Sequence, residues 1–235
     1  MNDKVIIALD VSSKKEALRL VRELHDLCGM FKVGSQLFMA AGPSIAREII
    51  DGGGKVFLDL KFHDIPNTAT LAAVEAAKLG VSMITVHASG GRAMMQSVMH
   101  ELGEHFPDTR PLVVAVTVLT SLDTPALFDI GIEFPLEQHV RRLALLAVQC
   151  GVDGVVCSPR ELSLLRRIVT PDFKLVTPGI RMPDQSANDQ QRIATPSEAI
   201  ASGADYIVVG RAVTGDSDPR TALKKLLEHS DRRDA

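Results

Sequence analysis

The chain has no tryptophan, a single tyrosine and only three cysteines among its 235 residues. A core without large aromatics must be assembled from Val, Ile, Leu and Ala, and 46% of the residues are hydrophobic. Cys28, Cys150 and Cys157 have no metal-type spacing and leave an odd thiol. Neither a disulfide framework nor a thiolate metal site is expected, and a reduced compartment is the simplest account. Long apolar runs are missing too. The longest nearly continuous one, Leu112 to Leu119, is far below the roughly 18 residues of a membrane span. The five apolar residues before Asp10 are too few for a signal-peptide core. Nor is there an excess of one charge: the formal net charge is −3 and the 26 basic residues are scattered, which gives no electrostatic case for nucleic acid. The expectation is a cytoplasmic protein with neither a nucleic-acid nor a membrane partner.

What the chain does have is alternation. Short apolar runs are read as strands at Val5–Leu9, Phe31–Val33, Val56–Leu60, Met83–His87, Leu112–Val118, Gly154–Cys157, Leu175–Thr177 and Tyr206–Val209. Between them lie helical patterns at Lys14–Cys28, Pro43–Asp51, Thr68–Leu79, Ala93–His105, Leu136–Cys150, Arg160–Val169 and Pro196–Ser202. Ser13 with Glu16, and Thr195 with Glu198, have capping-box spacing. Gly29, Gly80, Gly151 and Gly203 stand where helices want a left-handed residue at their end. Strands that are nearly continuously apolar, alternating with helices, argue for a parallel sheet covered by helices. Eight units favour closure into a (β/α)₈ barrel forming one domain over residues 1–235; an open doubly wound sheet is the other arrangement the alternation allows. The length fits, since such barrels run to roughly 250 residues.

The segment DLKFHDIPNT, residues 59–68, concentrates the charged chemistry. On a strand, side chains alternate between faces, so Phe57, Asp59 and Lys61 share one face while Val56, Leu58 and Leu60 share the other. A carboxylate and an ammonium then meet at the strand's end, with Asp64 on the turn beyond. Opposite charges at close range keep a lysine protonated, so the motif reads as a proton held ready in a charged cluster. Barrel enzymes carry catalytic groups at the C-terminal strand ends. Those ends read Asp10, Lys32, Asp59 with Lys61, His87, Thr120 with Ser121, Ser158, Arg181 and Arg211. Any one of these could merely begin the next helix, but two lysines and two aspartates at the first three ends are harder to dismiss.

Late in the chain, Gly210-Arg211 and Thr177-Pro178-Gly179-Ile180-Arg181 pair a glycine with an arginine at strands 7 and 8. Barrels commonly bind phosphate there, and an arginine offers a forked, charge-assisted grip. Gly52-Gly53-Gly54 precedes its strand and reads as a turn. Gly90-Gly91 lacks the dinucleotide pattern. His63 either orients the turn after strand 3 or only packs there, and His87 is read as a structural histidine.

These residues closely resemble the bacterial-type orotidine 5′-phosphate decarboxylase family, from IIALD at 6–10 to VVGR at 208–211. DLKFHDIPNT is the most specific match, supported by LTS at 119–121 and TPGIR at 177–181. The resemblance implies a homodimeric barrel that converts orotidine 5′-phosphate to UMP and CO₂ without metal or organic cofactor. It implies that Lys61 donates the proton within a network of Lys32, Asp59, Lys61 and Asp64. Asp64 and Thr68 would reach into the neighbouring subunit's site. Asp10 and Lys32 would meet the ribose, and Ser121 with the Thr120 backbone the pyrimidine. Gln190, Gly210 and Arg211 would bind the phosphate, helped by the loop carrying Arg181; residues 182–191 read independently as a polar lid. The shorter Asp-x-Lys-x-x-Asp pattern also occurs in Mg-dependent keto-sugar-phosphate lyases and aldolases, which stand as the alternative enzyme. A non-catalytic phosphate-ligand sensor is the alternative outside enzymes.

Overall fold

The computed structural model describes residues 2–181 and 194–231, with side chains up to residue 228. Eight parallel strands close into a barrel in sequence order: β1 (Val5–Ala8), β2 (Met30–Gly34), β3 (Val56–Phe62), β4 (Met83–His87), β5 (Leu112–Val116), β6 (Gly154–Val156), β7 (Lys174–Thr177) and β8 (Tyr206–Val209). Closure is made by β1 against β8, with Val5 beside Ile207 and Ile7 beside Val209. The open-sheet arrangement is thereby excluded.

Alternation along each strand builds two apolar layers. Ile6, Ala8, Met30, Phe57, Met83, Val114, Val176 and Val208 fill the barrel. Their neighbours, such as Ile7, Val56, Leu58, Ile84 and Ile207, face the helices. Phe57 is the one aromatic among these buried residues, with Tyr206 packed partly against them, in keeping with the near absence of aromatics.

Most predicted elements appear with boundaries shifted by a few residues. The capping box at Thr195 and Glu198 is complete. That at Ser13 is half made: the hydroxyl accepts the Glu16 N–H, but the Glu16 carboxylate turns to Arg19. Gly80, Gly151 and Gly203 are left-handed as expected, whereas Gly29 is not. Gly29 is small for another reason, since a Cβ there would lie 2.5 Å from the Asp3 carbonyl oxygen. Helices at Ser35–Ala41, Thr124–Asp129, Arg211–Thr214 and Pro219–Asp231 have no counterpart in the sequence reading. The last closes the ring of helices: Arg220 forks onto Asp26, holding that carboxyl down at about 2.

Two staples fasten the N-terminal end of the barrel. Asp153, just before β6, takes both arms of Arg110 at 2.6 and 2.8 Å and the Val113 N–H of β5 at 2.7 Å. Asp205, just before β8, takes Arg166 and the Leu175 N–H of β7. In each, one carboxylate ties the start of its own strand to the start of the previous one. No described helix is long and apolar enough to cross a membrane.

Candidate active site

The C-terminal strand ends surround a cavity of about 400 Å³. Its polar wall comes from β1 to β3. Alternation carries the Phe57 face of β3 upward, so Asp59 and Lys61 project over the barrel mouth, beside Lys32 from β2 and Asp10 just after β1. Lys32 Nζ donates to Asp10 Oδ1 at 2.9 Å and lies 3.6 Å from Asp59 Oδ2; Lys61 Nζ donates to Asp59 Oδ1 at 2.9 Å. The four ions form a line of alternating sign, Asp10–Lys32–Asp59–Lys61. Its centre is drier than its ends, because the Lys32 and Asp59 side chains are 12% and 13% exposed against 37% for Lys61.

The line is built on an irregular strand. Pairing between β3 and β4 shifts register between Leu58 and Phe62. Within that interval Lys61 has φ of 54°, the one positive φ among the described non-glycine residues. Such a conformation costs about 1–3 kcal/mol and persists only where surrounding structure enforces it. Thr85 of β4 is part of that structure. Its buried hydroxyl accepts the Lys61 N–H at 2.8 Å and donates to Asp59 Oδ1 at 3.1 Å. Gly34 matters on the other side, since a Cβ there would come within 3.0 Å of Lys32 Nζ.

Opposite the ions the wall is apolar, from Val116, Val118 and Val156. Thr120, Arg181, Gly210 and Arg211 border the same cavity. Arg181 is buried and donates to the Ile180 carbonyl.

The model of the "Orotidine 5'-phosphate decarboxylase / HUMPS family" matches residues 3–226. A protein from Syntrophotalea carbinolica named orotidine 5′-phosphate decarboxylase is 51% identical, over 96% of this chain and 93% of its own length. One of the same name from Geobacter sulfurreducens is 48% identical, over 96% and 95%. The crystal structure of orotidine 5′-phosphate decarboxylase from Lactobacillus acidophilus superposes with a TM-score of 0.86 at 38% identity, covering 97% of this chain and 99% of that one. The chain belongs to the orotidine 5′-phosphate decarboxylase / HUMPS family.

The other expected residues of this family member divide into three groups. Ser121 is exposed on the turn after Thr120 and does not border the cavity. Asp64 and Thr68 are also exposed and lie outside this chain's cavity. The sequence reading set Asp64 on the turn beyond Lys61, within the same charged cluster. In the structure its Oδ1 accepts the adjacent Ile65 N–H at 2.7 Å, and no ion pair joins it to Lys61 among the described residues. The chain turns outward here, because Pro66 starts the next helix and the residue before a proline is pushed to extended backbone. Gln190 lies outside the described residues.

Two strand-end candidates prove structural. Ser158 caps the short helical turn Pro159–Glu161 in a box with Glu161. His87 stacks on His63 with ring centroids 5.0 Å apart. Burial, then the neighbouring His63 and Lys61, lower the His87 pKa, so it sits neutral near pH 7. Gly90 lies over this stack, and a Cβ there would collide with Met94; packing explains it without a nucleotide. Burial pushes the Cys28 thiol up to about 12, and the side chain packs, partly buried, against the core. Thr85 and Gly34 escaped the sequence reading. Threonine is an ordinary strand former, so only its place on the Met83 face, among apolar residues, could have singled it out.

Proposed function

We propose that the protein decarboxylates orotidine 5′-phosphate to UMP and CO₂ with its own side chains, and that Lys61 supplies the proton. The observation that carries this reading is the alternating line of ions ending at a lysine on an enforced left-handed backbone, facing an apolar wall. The names of the relatives give the substrate.

The chemistry asks for that arrangement. When the C6–carboxylate bond breaks, its electron pair stays on C6 in an orbital lying in the ring plane, perpendicular to the π system. The usual electron sinks cannot accept it. What can help is a fixed positive charge beside C6, oriented before the reaction and costing little reorganisation as charge develops. The Lys61 ammonium is such a charge. It then gives one N–H proton to C6, CO₂ departs along the apolar wall, and solvent restores the ammonium. Asp59 holds Lys61 in place, and Lys32 keeps Asp59 from standing as a lone buried charge. In this reading Asp10 and Lys32, which border the cavity, meet ribose hydroxyls, and the pyrimidine edge meets the Thr120 backbone and, as the resemblance implies, Ser121 from the turn outside the cavity lining.

Arg211, beside Gly210 and near Arg181, is the proposed phosphate grip, with Gln190 as the further partner the resemblance implies. The nearest atom to a Cβ at Gly210 would be Ala8 Cβ, at 3.6 Å. The position is therefore uncrowded within the chain and leaves room for a ligand to approach the backbone. Binding energy gained at the phosphate can orient the distant reacting bond.

The site is proposed to be completed by a second copy of the chain. Asp64 and Thr68 are exposed on a surface that also exposes Ile65 and Leu71, at 67% and 57%. A homodimer burying that face would carry Asp64 and Thr68 to the partner's cavity. A cytoplasmic location follows from pyrimidine nucleotide synthesis as the role.

The test is the absorbance change of orotidine 5′-phosphate on adding protein, with and without excess EDTA. Conversion to UMP at equal rates in both is expected. No conversion would reject the reading, and conversion abolished by EDTA would point to a metal-assisted lyase instead.

A further inference from the structure

We propose that Thr85 is a positioning residue for this reaction: its one hydroxyl fixes the angle between the Asp59 carboxylate and the Lys61 ammonium. The inference rests on the role given to Lys61 above.

The contacts form a closed ring that starts and ends on Lys61. The Lys61 backbone N–H donates to Thr85 Oγ1 at 2.8 Å, Thr85 Oγ1 donates to Asp59 Oδ1 at 3.1 Å, and Lys61 Nζ donates to that same oxygen at 2.9 Å. A hydroxyl has a single proton. With an N–H already pointing at its oxygen, that proton is directed to Asp59. Asp59 is thus held in two directions, Oδ1 toward Thr85 and Lys61, and Oδ2 toward Lys32 at 3.6 Å.

The same hydroxyl answers a backbone problem. Where the β3–β4 register slips, the Lys61 N–H falls out of the ladder; a part-buried N–H without a partner is costly. Thr85 supplies the partner, and so supports the left-handed conformation from which the lysine side chain leaves the strand. Thr85 is fully buried and does not border the cavity. Its effect therefore passes through Lys61 and Asp59.

The experiment compares Thr85→Val, which keeps the shape and deletes the hydroxyl, with Thr85→Ser, which keeps the hydroxyl. Thr85→Ala serves as a second hydroxyl-free variant should Thr85→Val not fold, and Lys61→Ala is run alongside. Each is assayed for kcat with orotidine 5′-phosphate and for UMP affinity by calorimetry. Loss of a hydrogen bond to a charged group corresponds to about a ten- to hundredfold effect. The expected result is a kcat lowered by that factor in Thr85→Val, UMP affinity within about twofold of wild type, and Thr85→Ser within about threefold in kcat. Wild-type kcat in the hydroxyl-free variants, with Lys61→Ala inactive, would overturn the role of Thr85 and leave that of Lys61 standing. An active Lys61→Ala would remove both. Equal losses in kcat and UMP affinity, or a Thr85→Ser as impaired as Thr85→Val, would reduce Thr85 to a packing residue.

Discussion

The two ends of the barrel use charge in opposite ways. At the N-terminal end Asp153 and Asp205 are each saturated by an arginine and by a backbone N–H from the neighbouring strand. The carboxylate of Asp153 so favours the charged guanidinium that the pKa of Arg110 is raised. At the C-terminal end the line of ions takes its cations from lysines: Lys32 is shared between two carboxylates, and Lys61 stands on an irregular, left-handed stretch of backbone. Arginine is a rigid fork that never gives up its proton; lysine is a compact charge on a flexible stem that can. Arginines fasten the N-terminal end of the fold, and the proposed proton donor at the other end is a lysine.

This contrast can be broken in steps. Lys61→Ala should lose turnover by at least about 10⁴-fold with little change in melting temperature, and so should Asp64→Ala when the partner's Asp64 is needed. Mixed and re-associated, the two variants should recover about a quarter of the wild-type rate, because half of a random population is heterodimeric and one site in each is intact. A demonstrated heterodimer without activity would count against shared sites. Arg211→Ala should lower kcat/KM by about 100-fold, near 3 kcal/mol, and near-normal kinetics would remove the phosphate assignment. Asp153→Ala should do the reverse of Lys61→Ala. It strands a partly buried guanidinium, costing about 3 kcal/mol of stability, with kcat unchanged in whatever remains folded; denaturant titration beside the activity assay measures both.

The smallest effect concerns His87. Its pKa is lowered below the ordinary 6.5, so the folded state takes up a proton less readily than the unfolded one. That contribution to stability is present above the ordinary value and is lost as pH falls from there through the lowered one. Melting temperature should decline as pH falls below the ordinary 6.5, and less so in His87→Gln.

The barrel was legible because short, mostly apolar runs alternate eight times with helical patterns, and eight such units favoured closure over the open sheet that the same alternation allows. The quartet Asp10, Lys32, Asp59 and Lys61 was legible because parity puts strand-end residues on one face. What escaped was long-range or irregular. Thr85 is 24 residues from the lysine whose N–H it accepts, and nothing local marks it. The register slip in β3 left no signature, since the strand read as regular from Val56 to Leu60, with Lys61 continuing its alternation. Asp64 was legible as a carboxylate on the turn beyond the strand; Pro66 starts the next helix there, and Asp64 accepts the Ile65 N–H. The short helices at Ser35–Ala41 and Arg211–Thr214 carry too few turns for a period to show.

The most direct test of the account is Lys61→Arg. This variant keeps a positive charge at the end of the line of ions but, with a side chain that does not deprotonate, cannot deliver a proton. The account predicts that it binds UMP within about tenfold of wild type and converts no measurable orotidine 5′-phosphate. Turnover by Lys61→Arg above about one per cent of wild type would contradict it, since charge alone would then suffice.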